Sequence, residues 1–278
     1  MERRSFLGAL TAASLGVVLE SRFAGIARPQ DAGPVAANAA NQASSKSGFP
    51  QNSTIVLVHG AWADGSCWRN VITPLERRGL NVTCAPLPLT SFADDVAALG
   101  RALERTSGPL VLVGHAYSGG PIAAIQEDRV KCLVYVAALA PDEGETVAKV
   151  FYQNESNPEA PKLVPDSNEF IWIPDDGFRR AVAHKASTDQ INVATAAQRP
   201  ISVHCIQEPV PAPAWKTKPA WFLIAEEDRM INPKTQHFMA DRMHAHVQSH
   251  RVDHSPMYSA PNLVIDIIVE AAQQTLSG

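Results

Sequence analysis

The sequence lacks the patterns that usually mark metal, nucleotide or disulfide chemistry. Its 278 residues include four cysteines (Cys67, Cys84, Cys132, Cys205), which form no Cys-x-x-Cys pair and have no zinc-ligand spacing. The sequence contains no Gly-x-Gly-x-x-Gly loop and no Walker phosphate loop, which excludes the common nucleotide and flavin motifs. We therefore expect a protein with no cofactor and no bound metal.

A strong charge of either sign is also missing from the sequence. The net charge is −4 at pH 7, and the basic residues do not form a run. A mildly acidic surface of this kind argues against nucleic acid or an anionic membrane as a partner. The expected partner is a small-molecule substrate.

The amino end has an apolar run that is short for a membrane span. The run follows Arg3 and Arg4 and has about 14 residues, whereas a spanning helix needs about 20. A charged start, an apolar middle and a small-residue ending predict a signal peptide over residues 1–27. The alternatives are an uncleaved membrane anchor and a chance Arg-Arg pair before a helix. The Arg-Arg-x-Phe-Leu pattern resembles a twin-arginine signal, which predicts export of the folded protein to the periplasm or beyond. Residues 28–52, rich in Ala, Asn, Gln and Ser, are predicted to form a disordered tether.

From Thr54 onward, apolar strand-like runs alternate with helical patterns. The predicted strands cover residues 55–58, 80–85, 110–113, 130–137, 221–225 and 247–252. Strands that alternate with helices predict an α/β fold with a doubly wound, mostly parallel sheet over residues 53–278. The proline-rich residues 143–215, with short helical pieces, interrupt this alternation and are predicted to form an inserted helical cap.

Four strand ends carry residues that suggest catalysis, and functional groups gather at the carboxyl ends of strands in open α/β sheets. The four motifs are Val-Leu-Val-His-Gly-Ala-Trp at 56–62, Val-Leu-Val-Gly-His-Ala-Tyr at 111–117, Glu-Asp-Arg-Met-Ile at 227–231 and Asp-His-Ser-Pro at 253–256. Together they resemble the α/β-hydrolase superfamily, and in particular its small esterase and hydroxynitrile-lyase branch. In the lyase branch a lysine follows the catalytic histidine, whereas Ser255 stands here.

The resemblance and the chemistry of acyl transfer give the candidate residues their roles. His254 is the candidate general base, and Asp228 is the carboxylate that would fix its tautomer. The backbone N–H groups of Ala61 and Tyr117 are expected to form an oxyanion hole. Trp62 and His115 are expected to line the substrate pocket, and His115 and His59 also to brace the loops.

The nucleophile position is where the sequence departs from the family pattern. A serine is expected two residues after Gly114, on a sharp strand-to-helix turn, but that residue is Ala116. A shifted register would make Ser118 the nucleophile, but it would extend a buried strand through Gly114 and His115, so we favour the first register. Three hypotheses follow. The first is an enzyme for a small apolar ester or carbonyl substrate, in which His254 and Asp228 act as a general base on water or on an acidic C–H or O–H group of the substrate. The others are a serine esterase that uses Ser118 and a non-catalytic binding protein.

Overall fold

The computed structural model describes residues 48–276 of the chain. The predicted signal peptide and most of the predicted tether lie outside the described residues. Residues 48–52 of that tether are described: Phe49 packs against the apolar core, and Ser53 N–H donates to Pro50 O at 3.1 Å. The packed chain therefore begins a few residues before the predicted boundary at 53.

The strands of the described residues form one large sheet and one short ribbon. In chain order they are β1 Thr54–Val58, β2 Asn81–Ala85, β3 Leu110–His115, β4 Val130–Val136, β5 Phe170–Ile171, β6 Ile201–Ser202, β7 Ala220–Ala225 and β8 His246–His250. Six of them form a sheet in the order β2-β1-β3-β4-β7-β8, and every neighbouring pair in it is parallel. All the strand ends that carry candidate residues therefore lie at one edge of the sheet.

Helices cover both faces of this sheet. In chain order the α-helices are α1 Arg69–Glu76, α2 Phe92–Glu104, α3 Gly119–Ala123, α4 Val147–Phe151, α5 Thr188–Ala196, α6 His204–Gln207, α7 Pro233–Arg242, α8 Pro256–Ser259 and α9 Pro261–Leu276. Residues of α1 and α9 belong to the apolar cluster on one face, and residues of α2, α3 and α7 belong to the cluster on the other. Within the described residues no helix is long and apolar enough to cross a membrane.

The strand sequences explain why the sheet is covered on both faces. Val56 and Val58 pack in one apolar cluster, whereas Ile55 and Leu57 pack in the other, as the two-residue period of a strand requires. All five residues of β1 are buried, and so are all six of β3. A parallel sheet with both faces covered accounts for apolar runs without alternation.

Capping residues in the sequence predicted where two of the helices begin. The Ser91 hydroxyl accepts from Asp94 N–H at 3.0 Å and caps α2, as its spacing predicts. Asn232 caps α7 in the same way, with Pro233 in the first turn, where the missing N–H is tolerated. The predicted end of β3 at Val113 is wrong, because the strand continues through Gly114 to His115.

The segment predicted as a cap lies between β4 and β7. It holds α4, α5, α6 and a π-helical turn at Phe178–Val182, near the helical pieces expected from the sequence. It also holds the antiparallel ribbon of β5 and β6, for which the sequence carries no signal. Each ribbon strand has two residues, so no alternating pattern could show in the sequence.

Candidate active site

The turn between β3 and α3 holds Ala116 in an unusual backbone conformation. Ala116 has a φ of +51°, a left-handed value that is costly for a residue with a Cβ atom. It begins a 3-10 turn, Ala116–Ser118, that leads directly into α3. Position 119 leaves no room for a side chain, because a Cβ atom there would overlap Leu139 O. Position 114 is nearly as crowded, since a Cβ atom there would lie 2.9 Å from Ile122 Cδ1. The sharp turn between β3 and α3 therefore has an alanine in the left-handed conformation at its first position.

Ser118 lies away from the first position of this turn. Its side chain is fully buried, and its hydroxyl lies 2.8 Å from Val58 O and 2.9 Å from His115 O. Its single proton is thus committed to these two carbonyl groups, and the bond to Val58 O ties the turn to β1. The sequence argued against Ser118 because the buried strand would have to include Gly114 and His115. That objection is wrong, since β3 does include both residues. The turn nevertheless begins at Ala116 and not at Ser118.

His254 and Asp228 form a buried hydrogen-bonded pair. His254 Nδ1 donates to Asp228 Oδ2 at 2.8 Å, and both side chains are almost completely buried. The other oxygen of Asp228 accepts from the N–H groups of Met230 at 2.7 Å and Ile231 at 2.9 Å, and Gln236 Nε2 donates to Oδ2 at 2.8 Å. Asp228 is therefore held on every side, and its bond fixes the His254 tautomer with the proton on Nδ1.

His115 lies directly against His254. Its Nε2–H donates to His254 O at 2.7 Å, and the two ring centres are 4.9 Å apart. Burial lowers the pKa of His115 to about 3, so the ring is neutral near pH 7. His115 lines the cavity, and its hydrogen bond ties it to the backbone of the loop that carries His254.

His59 braces the loop that follows β1. Its Nδ1–H donates to Gly60 O at 2.9 Å, and its Nε2 accepts from Leu87 N–H at 3.0 Å. Burial lowers the pKa of His59 to about 4. Gly60 then passes close to Ala116, since a Cβ atom there would lie 3.0 Å from Ala116 Cβ.

Ala61 and Trp62 come next on this loop, and both line the cavity. Trp62 also has a left-handed φ of +61°. Its indole N–H donates to Ile171 O of β5 at 2.9 Å, which joins the loop to the cap. Tyr117, which follows Ala116, lines the same cavity. Backbone N–H groups at the start of a helix lack intrahelical partners, so Tyr117 N–H is available to a bound group.

Sequence reasoning missed a buried polar network behind Tyr117. The Tyr117 hydroxyl donates to Asp95 Oδ2 at 2.7 Å, and Leu89 N–H donates to Asp95 Oδ1 at 2.7 Å. Cys205 Sγ of the cap lies 3.6 Å from the same carboxyl group. Burial raises the pKa of Asp95 above its usual value. In the sequence Asp95 looks like an ordinary acidic residue in the first turn of a helix, so no signal distinguished it.

A second missed residue joins the cap to both loops of the histidine–aspartate pair. Lys185 forms an ion pair with Glu227, next to Asp228, and its Nζ donates to Arg251 O at 2.8 Å. Its backbone N–H donates to Asp253 Oδ2 at 2.8 Å, next to His254. Lys185 thus contacts both loops that carry Asp228 and His254.

The candidate residues surround a cavity of about 200 Å³. Ala116, Tyr117, Ala61 and His254 all line this cavity. Its remaining walls are mostly apolar side chains, many of them from the cap: Val147, Phe151, Leu163, Ile171, Phe178, Val182, Ile201, Ile206, Met230, Ile231 and Met257. Tyr152 and Val193 also line the cavity and are 56% and 59% exposed, so its mouth is apolar too. Over residues 48–276 no cluster of His, Cys, Asp and Glu has the geometry of a metal site.

Comparisons with known proteins agree with this architecture. A family model described as "Alpha/beta hydrolase family" matches residues 55–267. Methylesterase 2 of Arabidopsis thaliana is 23% identical over 249 residues, which are 78% of this chain and 95% of that protein.

Solved structures show the same fold. A pyrethroid hydrolase from Sphingobium faniae JZ-2 aligns with a TM-score of 0.68 at 22% identity and covers 79% of this chain and 97% of its own. Polyneuridine aldehyde esterase aligns with a TM-score of 0.68 at 17% identity and covers 79% of this chain and 99% of its own. The fold class and the esterase-like resemblance predicted from the sequence are confirmed.

Proposed function

Since the chain belongs to the alpha/beta hydrolase family, we propose that it hydrolyses small apolar esters by general-base catalysis, without a covalent serine step. His254 and Asp228 activate a water molecule, and the backbone N–H groups of Ala61 and Tyr117 stabilise the oxyanion. The observation that carries this proposal is Ala116, which occupies the first position of the turn after β3 and offers a methyl group instead of a hydroxyl.

The alanine removes one reaction and leaves the rest of the apparatus in place. An acyl-enzyme needs an oxygen at position 116, and Ala116 has none. Loss of a triad serine costs roughly a millionfold in turnover, while an oxyanion hole and binding keep about a thousandfold over water. A base that is free to act on water recovers part of this loss, and general bases contribute about 10²- to 10⁴-fold.

The proposed reaction uses one proton transfer in each direction. His254 Nε2 takes a proton from a water in the space above Ala116, and the hydroxide attacks the ester carbonyl carbon. Asp228 stabilises the imidazolium that forms, and the oxyanion lies against Ala61 and Tyr117. The C–O bond then breaks, and the leaving alcohol oxygen takes the proton back from Nε2. The apolar walls favour a small substrate without charge.

We also propose that the protein acts outside the cytoplasm, in the periplasm or as a secreted protein. The Arg-Arg-x-Phe-Leu pattern near the amino end supports this localisation. The full chain expressed in a bacterium with an active twin-arginine pathway should appear in the periplasmic fraction in a shortened form. Replacement of both Arg3 and Arg4 by lysine should retain it in the cytoplasm.

The test of the reaction is a panel of short-chain aryl esters assayed on four variants. His254→Ala should abolish hydrolysis, whereas His237→Ala, at an exposed histidine of α7, should leave it unchanged. Ser118→Ala should retain hydrolysis, because the Ser118 hydroxyl is committed to carbonyl groups. Ala116→Ser should introduce a burst of released aryl alcohol, which marks an acyl-enzyme that the natural chain does not form.

The same panel separates the alternatives. Activity abolished by Ser118→Ala, in a variant that still folds, would favour the ordinary serine esterase. No turnover by the natural chain on any ester, together with turnover by Ala116→Ser, would favour a small-molecule-binding protein on an intact scaffold.

A further inference from the structure

We infer that this site also exchanges a proton at a carbon next to a carbonyl group, so that the protein enolises small apolar ketones. The inference rests on the roles proposed above for His254, Asp228 and the backbone N–H groups. It adds a class of substrate that has no bond to hydrolyse, and it follows from what Ala116 leaves open.

His254 has one ring nitrogen that can meet a substrate. Its Nδ1 is committed to Asp228 at 2.8 Å, and its Nε2 has no hydrogen-bond partner within the described part of the chain. His254 lines the cavity together with Ala116, whose methyl group neither donates nor accepts a hydrogen bond. A serine at position 116 would bond this nitrogen and compete for the carbonyl carbon. With alanine at position 116, the lone pair of His254 Nε2 is free to accept a proton from the substrate.

The walls of the cavity favour an apolar substrate over water. A water molecule is held firmly only where it finds two to four polar partners, and the cavity is lined mostly by apolar side chains. In the proposed hydrolysis the water therefore depends for its partners on His254 Nε2 and on the N–H groups of Ala61 and Tyr117. A ketone brings its reacting hydrogen covalently attached to a molecule that the apolar walls bind.

Enolisation and ester hydrolysis both place negative charge on the carbonyl oxygen. When a carbon next to a carbonyl loses a proton, the negative charge develops on the carbonyl oxygen. The N–H groups proposed to stabilise the tetrahedral oxyanion of an ester would stabilise this enolate oxygen in the same way. The buried pair of Asp228 and His254 would carry the proton. The cavity therefore supplies what enolisation requires.

The reaction balances without a further reactant. His254 Nε2 takes the proton from the carbon, and the electron pair of that C–H bond becomes the second bond between the two carbons. The carbonyl π pair moves onto the oxygen. The imidazolium then returns a proton to the carbon, and the ketone is restored. In heavy water the proton returned is a deuteron, so the net change is isotope exchange.

The experiment follows 1-indanone and the protein in heavy water by proton NMR. This ketone is small and apolar, and its two hydrogens next to the carbonyl are distinguishable in a chiral site. The natural chain should speed their exchange at least about 100-fold over buffer, the lower end of general-base catalysis. It should also exchange one of the two hydrogens first, because only one can point at Nε2.

Matched variants locate the exchange. His254→Ala should lower it to the rate in buffer, and Asp228→Asn should lower it strongly, which provides a second variant should the first fail to fold. His237→Ala, at the exposed α7 histidine, should leave the rate unchanged. Ala116→Ser should lower the rate several-fold, because the new hydroxyl occupies Nε2.

The outcomes separate this inference from the proposed function. Ester hydrolysis without selective exchange would overturn the inference and leave the proposed function standing. Exchange that depends on His254, without ester hydrolysis, would support the inference and overturn the hydrolysis. Exchange at the buffer rate, or exchange that survives both His254→Ala and Asp228→Asn, would overturn the inference.

Discussion

The loops at the strand ends and the cap contribute to the same cavity in different ways. The loops carry the polar candidate side chains, which buried hydrogen bonds hold in place. They also contain two residues in the left-handed conformation, Ala116 and Trp62. The cap supplies apolar walls and reaches the loops through a few contacts, such as the bonds of Lys185 and of Ile171 O. We therefore expect the rate of the reaction to depend on the loops, whereas the cap tunes binding.

The largest expected effect is at the acid of the buried pair. Asp228→Asn reverses the polarity of the bond to His254 Nδ1 and favours the tautomer with its proton on Nε2, which cannot act as a base. We expect kcat to fall about 10²- to 10⁴-fold with little change in KM. Steady-state kinetics on an aryl ester would measure this. Asp189→Asn, at an exposed cap position, is the control and should change neither constant.

The next effect tests whether the network behind Tyr117 positions the proposed oxyanion hole. Tyr117→Phe leaves the buried carboxyl group of Asp95 with one donor fewer, which should cost about 1–3 kcal/mol of unfolding free energy. We expect kcat to fall about tenfold, because Tyr117 N–H loses its support.

Tyr135→Phe is the matched control for this change. The Tyr135 hydroxyl is buried without a hydrogen-bond partner in the described structure, so its removal should be neutral or stabilising. Urea unfolding and kinetics of both variants decide the matter. Equal losses in the two variants would mean that the Asp95 network has no special role.

Acid should lower the stability of the folded protein, because the buried histidines of its loops are neutral in the folded state. The pKa of His59 is about 4 and that of His115 about 3, below the value of about 6.5 expected in the unfolded chain. Between these values the unfolded state binds more protons, so stability falls as the pH drops from about 6.5 towards 4. Each group contributes up to about 1.4 kcal/mol per pH unit.

Thermal unfolding between pH 7 and pH 4 would measure this slope. His59→Gln should make the slope shallower by one proton, whatever it does to the stability at pH 7. A melting temperature that does not change over this range would contradict the assignment of neutral buried rings.

The smallest effect is expected where the cap meets the loops. Lys185→Met removes the ion pair with Glu227 and the bond to Arg251 O, both at half-exposed positions. Surface ion pairs contribute little, so we expect at most a several-fold fall in kcat, with a weaker response to salt than in the natural chain. Lys234→Met, at an exposed lysine of α7, is the control. A loss as large as that of Asp228→Asn would break the distinction between loops and cap.

The sequence predicted the parts that depend on repeated local signals. The strands around Val56 and Leu112 were predictable because both faces are buried and the runs are apolar throughout. The pairing of Asp228 with His254 was expected from their places after late strands. In the structure His254 Nδ1 lies 2.8 Å from Asp228 Oδ2.

The parts that were missed depend on contacts between distant residues. Asp95 and Tyr117 are 22 positions apart, and Lys185 and Asp253 are 68 apart. Neither contact leaves a local pattern. The left-handed conformation of Trp62 has no signal either, because a glycine would be the expected residue there.

The conformation of Ala116 has a consequence for thermal tolerance. A left-handed alanine stores about 1–2 kcal/mol that a glycine at the same place would not. Ala116→Gly would relax this strain, with some of the gain offset by the greater freedom of glycine in the unfolded chain. The start of this turn is therefore a position where removal of a single methyl group can raise the melting temperature.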